Sequence, residues 1–374
     1  MSFLSSFENM AYIASGPILA VLNTNNADDT PQILFQWEDL DEQKFRKSET
    51  GESNENEEGK QQIKKVDEIV TICLAHSNGP RRLLAVGTNQ KLVHILEISQ
   101  DGTSAKHLIS AVIPKAPTSC SFDREDAYVI VGDRSGDVHR FSIEDGIVNE
   151  LAGAISMVLS VGLTPDGKNL LMADRDEKLR VVRYPHTYVI ESFCLGHTQY
   201  VRTATVAGND VAYTSGGDGT VREWQIDNGH SLSSTLITPE KTAVRKIALN
   251  SENSKLAVIL ENSPKLYFLK NGSNTVSQLD FENESELIDV EAVGNGQFVV
   301  LSRSEILLID SDSSTVIRRI SVNEHLSSYL QKTNDAIENL FKNVTFNNQQ
   351  EYEKRKSEKF AKVEEKKALK RKAT

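Results

Sequence analysis

Four residues whose side chains can do chemistry fall within one stretch of the chain, residues 193–226. They are His197, Thr214, Asp218 and Trp224. Their imidazole, hydroxyl, carboxylate and indole N–H can join in a chain of hydrogen bonds, and an imidazole beside a carboxylate is also a common catalytic pair. Buried polar groups of this kind normally serve to satisfy one another. We therefore interpret the four as a structural relay and not as catalytic residues.

The segment that positions these four residues alternates apolar and polar positions between turns. It reads FCLGHTQYVRTATVAGNDVAYTSGGDGTVREWQI, with turns rich in Gly, Asn and Asp. This pattern predicts four short strands. A Gly-His pair about two dozen residues before a strand that carries Trp is the signature of a propeller blade. A single blade cannot bury both faces of its sheet, so the chain must contain more of them.

The same strand–turn–strand pattern recurs along the chain. Its turns align at Gln90, Gly136, Glu177, Gly219, Pro264 and Ser304, with spacings of 46, 41, 42, 45 and 40 residues. A four-stranded blade needs about 40–45 residues. Six copies and the strands of residues 10–37 predict an all-β, seven-bladed propeller over residues 1–321. We expect segment 12–22 to close the ring by pairing with 305–309 or 316–320, which removes open sheet edges.

Two segments depart from the blade pattern. Residues 47–65, KSETGESNENEEGKQQIKK, have almost no apolar side chain and predict a disordered loop insertion. Residues 322–374 predict a C-terminal helical region with a basic tail. Apolar residues recur there at steps typical of an amphipathic helix or helix pair: Leu326, Leu330, Ile337, Phe341 and Val344.

The tail itself is strongly basic. Residues 351–372 contain ten basic and five acidic side chains. Such a segment is typical of a solvated helix or a disordered tail. The alternative is a nucleic-acid-binding arm or a nuclear import signal. Its candidate residues are Lys366, Lys367, Lys370, Arg371 and Lys372.

Composition excludes several classes. The chain has 374 residues, a net charge of −11 and 39% hydrophobic residues, as in a soluble globular protein. It has no apolar run long enough for a membrane span and no secretory leader pattern. Cys73, Cys120 and Cys194 lie far apart, which favours free, packed thiols in a reducing compartment. The eight histidines form no close cluster, and no Gly-rich loop joins a strand to a helix, so we expect neither a metal nor a cofactor.

One turn is unusually charged. Residues 174–180 place up to six charged side chains in a turn and the following strand: Asp174, Arg175, Asp176, Glu177, Lys178 and Arg180. Polar turns are common in propellers, so one interpretation is an exposed hairpin. The other is a docking patch for a partner, with Arg180 binding a carboxylate through its guanidinium. Arg134 occupies the matching turn one blade earlier, which predicts that both arginines share one rim.

These turns also carry a family resemblance. The run MADRDEKLRVVRYP, continuing through IESFCLGHTQYV to SGGDGTVREW, and VGDRSGDVHRFSI one blade earlier, resemble the non-catalytic WD-repeat subunit of the eukaryotic tRNA (guanine-N7-)-methyltransferase. The resemblance is strong over residues 129–224 and weaker through 228–310. Near the C-terminus, FKNVTFNNQQEYEKRK is similar to the helical tail of that family.

The resemblance implies a protein that is not an enzyme and binds no cofactor. In that family a separate catalytic subunit holds S-adenosylmethionine and methylates N7 of a guanosine in the tRNA variable loop. The propeller docks to that subunit as a heterodimer, holds it in an active conformation and helps to place the tRNA. The resemblance puts the contact at the charged turn and at Arg134. With a nuclear import signal in the basic tail, we expect a nuclear protein, with the cytoplasm as the second compartment, and no membrane partner.

Two other readings remain open from the residues alone. One is a WD-repeat adaptor of another complex, such as a substrate receptor of a ubiquitin ligase or a histone-tail reader. An aromatic content of 6% lowers the case for a peptide reader. The other is a propeller hydrolase with carboxylates in the central channel. Against it, the acids Asp133, Asp174, Asp176 and Asp218 occupy positions that the blade pattern already explains. Identification of the proteins that co-purify with the chain distinguishes these readings.

Overall fold

Seven four-stranded antiparallel sheets make up the computed structural model, which describes residues 2–26, 30–36, 68–76, 81–281, 285–332 and 337–341. The seven-bladed propeller predicted from the turn spacing is confirmed. Within each sheet the strand order follows the sequence. The first strands of neighbouring blades contact one another around the ring, so each blade starts at the centre and ends at the circumference.

The strands are named in chain order, four to a blade. Blade 1 contains β1 (Ser2–Phe7), β2 (Met10–Ser15), β3 (Ile18–Asn23) and β4 (Gln32–Gln36). Blade 2 contains β5 (Ile69–Leu74), β6 (Arg82–Thr88), β7 (Leu92–Ile98) and β8 (Ala105–Val112). Blade 3 contains β9 (Pro117–Phe122), β10 (Tyr128–Asp133), β11 (Asp137–Ser142) and β12 (Val148–Gly153). Blade 4 contains β13 (Val158–Leu163), β14 (Asn169–Asp174), β15 (Lys178–Arg183) and β16 (Ile190–Leu195).

The remaining blades follow the same plan. Blade 5 contains β17 (Val201–Ala207), β18 (Val211–Gly216), β19 (Thr220–Gln225) and β20 (Ser231–Leu236). Blade 6 contains β21 (Val244–Leu249), β22 (Lys255–Leu260), β23 (Leu266–Lys270) and β24 (Val276–Leu279). Blade 7 contains β25 (Leu287–Val293), β26 (Gln297–Ser302), β27 (Glu305–Asp310) and β28 (Val316–Ser321).

The antiparallel order gives the ring two distinct ends. We call "upper" the end that carries the turns between second and third strands and the connections between blades. The "lower" end carries the other two turns of each blade. Middle strands are buried on both faces between neighbouring sheets, as in β14 and β18, which explains their nearly continuous apolar sequences. Residues 134–136, 175–177 and 217–219 are therefore all upper-end turns.

The expected closure by strand exchange is wrong. Blade 1 consists only of N-terminal strands, and blade 7 only of strands β25–β28. The ring closes where β1 packs beside β25. The Leu4 N–H donates a hydrogen bond to Asp289 Oδ2 at 2.7 Å, and Ser6 Oγ donates to the carbonyl of Ala292. Closure therefore depends on side-chain contacts between two complete sheets and needs no strand shared between them.

A single described helix, α1 (Glu324–Lys332), follows the last blade. Asn323 caps it, since its Oδ1 accepts the Leu326 N–H at 2.8 Å. Leu326 and Leu330 are fully buried among residues of blades 1 and 7. The compact unit accordingly extends to Ile337 and includes this helix.

The chain beyond α1 is described only in part. A 3-10 turn spans Ile337–Asn339. The expected insertion at 47–65, Val344 and the basic tail lie outside the described residues. No helix within the described ranges has the length and apolarity that a membrane crossing requires.

Candidate partner-docking site

The structure joins the four relay residues of blade 5 in one chain of hydrogen bonds. Trp224 Nε1 donates to Thr214 Oγ1 at 2.7 Å. Thr214 Oγ1 lies 2.7 Å from His197 Nε2, and His197 Nδ1 lies 2.9 Å from Asp218 Oδ2. All four residues are buried. The imidazole bridges Asp218 and Thr214, and Thr214 also accepts the indole N–H, so the four polar side chains satisfy one another.

Asp218 fixes the turn between β18 and β19. Its carboxylate also accepts the N–H groups of Thr198 at 3.0 Å and Thr220 at 3.1 Å. Burial alone would raise the pKa of Asp218, but the hydrogen bond and charge of His197, with these N–H donors, lower it to about 2. Gly219 in the same turn has φ +74° and lies against the backbone of Lys241, so a side chain has no room there. The relay therefore holds the turn between β18 and β19 in place within blade 5.

Asp133 of blade 3 does not occupy the same turn position as Asp218. It ends strand β10, and its Oδ1 accepts the N–H groups of the following turn, including Ser135 at 2.8 Å. Its Oδ2 lies 3.1 Å from His139 Nε2. Together with Asp137, these side chains could approach one metal ion. The oxygens of Asp133 already accept hydrogen bonds from the protein, which is the simpler account of the cluster.

In the charged turn, Asp174 is the buried member. Its Oδ1 accepts the Lys178 N–H at 3.1 Å, and Lys178 Nζ lies 4.0 Å from its Oδ2. Burial is the main reason that the pKa of Asp174 is raised. Glu177 has φ +72°, the turn position that Gly136 and Gly219 occupy in neighbouring blades. The structure therefore divides the predicted patch, since Asp174 supports the turn while Arg175, Asp176, Glu177 and Lys178 are partly exposed.

Arg180 lies on β15, just past this turn. Its Nη1 donates to the carbonyl of Gly153, the last residue of the outer strand of blade 3, at 2.7 Å. Its guanidinium carbon lies 5.4 Å from the centre of the Phe193 ring on β16. These two contacts fix the guanidinium across the junction of blades 3 and 4 while leaving it partly exposed. Arg134 is exposed in the upper turn of blade 3, so the structure brings both arginines to the upper end.

Sequence reasoning missed the apolar side chains around Arg180. Ile155, in the connection that follows Gly153, is 93% exposed, and Leu195 at the end of β16 is 61% exposed. Isolated exposed apolar residues are ordinary, but Leu195 lies on the same face of β16 as Phe193, whose ring contacts the guanidinium. A signal was present in the sequence of β16, IESFCL, since an outer strand should be polar on its solvent face and Phe193 and Leu195 interrupt that pattern.

Histidines come closer together than the sequence suggested. Ser110 Oγ lies 2.6 Å from His94 Nδ1 and 2.6 Å from His107 Nε2. A β-bulge in the pairing of β7 with β8 brings His107 and Ser110 to one side of the strand. The expectation that the histidines form no close cluster is therefore wrong for this pair. Burial lowers the pKa of both, that of His94 to about 3, so both imidazoles are neutral at pH 7.

Comparison with known proteins gives one consistent family. A family model described as the tRNA methyltransferase TRM82 WD40 domain matches residues 21–150 and 144–325. A Caenorhabditis elegans tRNA (guanine-N(7)-)-methyltransferase non-catalytic subunit is 43% identical over 98% of this chain and 95% of its own length. The Homo sapiens non-catalytic subunit WDR4 is 34% identical over 41% of this chain and 40% of its own.

A likeness to solved structures bears on the fold alone. The WD40 β-propeller domain of Doa1 superposes with a TM-score of 0.56 at 13% sequence identity. The match covers 68% of this chain and 82% of that one.

Proposed function

The chain belongs to the TRM82 WD40 family of tRNA methyltransferase non-catalytic subunits, and we propose that its upper end docks the catalytic tRNA (guanine-N7-)-methyltransferase subunit in a heterodimer. The chain itself is non-catalytic, like its named relatives. The docked propeller stabilises the catalytic subunit in its active conformation. It also helps to position tRNA for formation of N7-methylguanosine in the variable loop.

The geometry of Arg180 is the observation that carries this proposal. Its guanidinium is fixed by Gly153 and Phe193, and no carboxylate pairs with it among the residues that the structure describes. A fixed guanidinium loses little conformational entropy when it binds a partner carboxylate in two parallel hydrogen bonds. Exposed Leu195 lies two residues beyond Phe193 on β16, and exposed Ile155 lies two residues beyond Gly153, so both add apolar surface near the residues that hold the guanidinium. Arginines that become buried on binding are enriched among interface hot spots.

Exposed cations at the upper end support a role in placing tRNA. They follow blades 2 and 3, at Lys91, Lys115 and Arg134. Phosphates are attracted to a row of cations of this kind. A tRNA that reaches the docked catalytic subunit from the upper end therefore meets exposed cations on a protein whose net charge is −11.

The basic tail and the compartment complete the proposal. Lys366, Lys367, Lys370, Arg371 and Lys372 lie outside the described residues and remain candidates for tRNA contact and nuclear import. We assign the complex to the nucleus on that basis, with the cytoplasm as the second compartment.

A methylation assay on tRNA tests the scaffold function. The two subunits are purified separately, and methyl transfer to N7 of guanosine is measured for each alone and for the mixture. We expect no transfer by this chain alone and a strong gain when it is added to the catalytic subunit. Methyl transfer by this chain without its partner, or no gain on mixing, would refute the proposal.

An Arg180→Glu variant tests the docking site. Because glutamate replaces the guanidinium with a like charge facing the partner carboxylate, we expect loss of co-purification with the catalytic subunit. Lys270→Glu is the matched control, since Lys270 is exposed at the lower end of blade 6 and the charge change is the same. The lost hydrogen bond to Gly153 lowers the stability of the propeller by about 1 kcal/mol. Global unfolding of Arg180→Glu would instead make Arg180 a structural residue.

A further inference from the structure

Blades 4 and 5 repeat one arrangement at the upper end. Arg180 is the third residue of β15 and pairs in register with Met172. Arg222 is the third residue of β19 and pairs in register with Thr214, at the same position of the next blade. The corresponding residue of blade 3 is His139, opposite Val131. Within the described chain, the two arginines therefore form a pair that is one blade apart.

The contacts of the two arginines repeat as well. Arg180 reaches back to Gly153 at the end of the outer strand of blade 3. Arg222 reaches back to Gly196, directly after the outer strand of blade 4. Its Nη1 lies 2.7 Å from the point that a Cβ would occupy if residue 196 carried a side chain. Each guanidinium also lies near an aromatic ring of its own blade, with Arg222 6.0 Å from the centre of Trp224. Arg222 Nε donates to Thr220 Oγ1 at 3.3 Å.

Neither guanidinium has its charge neutralised by a neighbouring acid in the described residues. Other arginines of the ring do pair with carboxylates, such as Arg183 with Glu191 at 2.6 Å and Arg303 with Glu286 at 2.7 Å. An arginine that is fixed in place and lacks an acidic partner presents an open charge to whatever binds over it.

An exposed leucine accompanies each arginine. Leu195 ends β16 opposite Lys178, and Leu236 ends β20 opposite Thr220, so they occupy the same position in successive blades. They are 61% and 41% exposed. Leu195 directly precedes Gly196, against which the Arg222 guanidinium lies. An apolar side chain thus separates two unpaired charges along the upper rim.

We propose that Arg222 is a second docking residue, and that the catalytic subunit presents two carboxylates on either side of an apolar side chain. One carboxylate binds Arg180, the apolar side chain covers Leu195, and the other carboxylate binds Arg222. This inference rests on the proposed function, because it concerns the same upper-end interface. It extends that interface across the junction of blades 4 and 5 and fixes the register of the partner by a repeated feature of the fold.

The test is the dissociation constant of the two purified subunits, measured for variants of this chain. Arg222→Glu removes one charge-assisted hydrogen-bonded contact, so the dissociation constant should rise by about ten- to a hundredfold. Arg222→Lys keeps the positive charge but lacks the planar guanidinium. Its dissociation constant should lie between those of Arg222→Glu and the native chain. Leu195→Ser should weaken binding by roughly three- to tenfold through lost apolar contact. Lys270→Glu should bind like the native chain.

The outcomes separate this inference from the function on which it rests. If Arg180→Glu weakens binding and Arg222→Glu binds normally, the second docking residue is refuted and the proposed function stands. If Arg180→Glu also binds normally, the upper-end site itself fails. Thermal unfolding is measured for each variant. If Arg222→Glu unfolds because it disturbs Trp224, Arg222→Lys decides the matter, since native affinity of this folded variant would refute a docking role for the guanidinium.

Discussion

Replacing Asp218 with asparagine should destabilise blade 5 in a manner that depends on pH. The amide resembles the protonated acid in shape and charge, so the variant lacks only what ionisation contributes. Asp218 has a side chain 6% exposed beside His197, and its pKa falls from 3.8 to about 2. Since one pKa unit corresponds to about 1.4 kcal/mol, the ionised carboxylate contributes about 2 kcal/mol at pH 7.

The sign follows from the direction of the shift. A carboxyl group whose pKa is depressed by folding contributes its full stability above the unfolded pKa, near pH 4, and loses it as the pH falls through about 2. The difference in unfolding free energy between the native chain and Asp218→Asn should therefore be constant from pH 7 to about 5. It should fall to roughly half by pH 3.

Urea unfolding at several pH values measures this difference, with thermal unfolding as a second readout. Asp176→Asn is the matched control. Asp176 occupies the same turn position in blade 4, where the described residues make no hydrogen bond to its side chain, and a change within about 0.5 kcal/mol is expected. Equal stability of Asp218→Asn and the native chain at pH 7 would refute the reasoning. So would a difference that does not shrink in acid.

Three further changes test other parts of the structure. Asp289→Asn should destabilise the ring by about 2 kcal/mol in urea unfolding. It removes one of the two carboxylates that pair with Lys246 and leaves a single oxygen where Asp289 uses one for Lys246 and the other for the Leu4 N–H at the closure. Unchanged stability would mean that closure does not depend on it. Leu330→Asp places a charge at a fully buried position on the inner face of α1 and should lower the melting temperature. A normal melting curve would show that the helix is not packed against the blades. A chain that ends at Ile337 loses the basic tail and should bind tRNA weakly in filter binding, since its remaining charge is more acidic still; tight, salt-sensitive binding would contradict a role for the tail.

The number of blades could be read from the sequence because it depends on local signals. Turn residues at Gly136, Glu177 and Gly219 recur at the spacing of a blade, and the structure gives all three a positive φ. The relay of blade 5 was also visible, since each of its four side chains lies at a fixed distance along one repeat and hydrogen bonds within a single sheet. Local spacing is enough where the partners belong to the same blade.

Contacts between blades could not be read in the same way. The expected closure by strand exchange was wrong because nothing local distinguishes a shared blade from two complete sheets joined by Asp289 and Leu4. The bulge that joins His107 to Ser110 is likewise a property of strand pairing. The charge of Arg180 was evident from the sequence, whereas its fixed orientation on Gly153 exists only once blades 3 and 4 pack together. Sequence determined the repeating unit and its polar residues, and tertiary packing decided which side chains of different units meet, because those contacts join residues that share no local pattern.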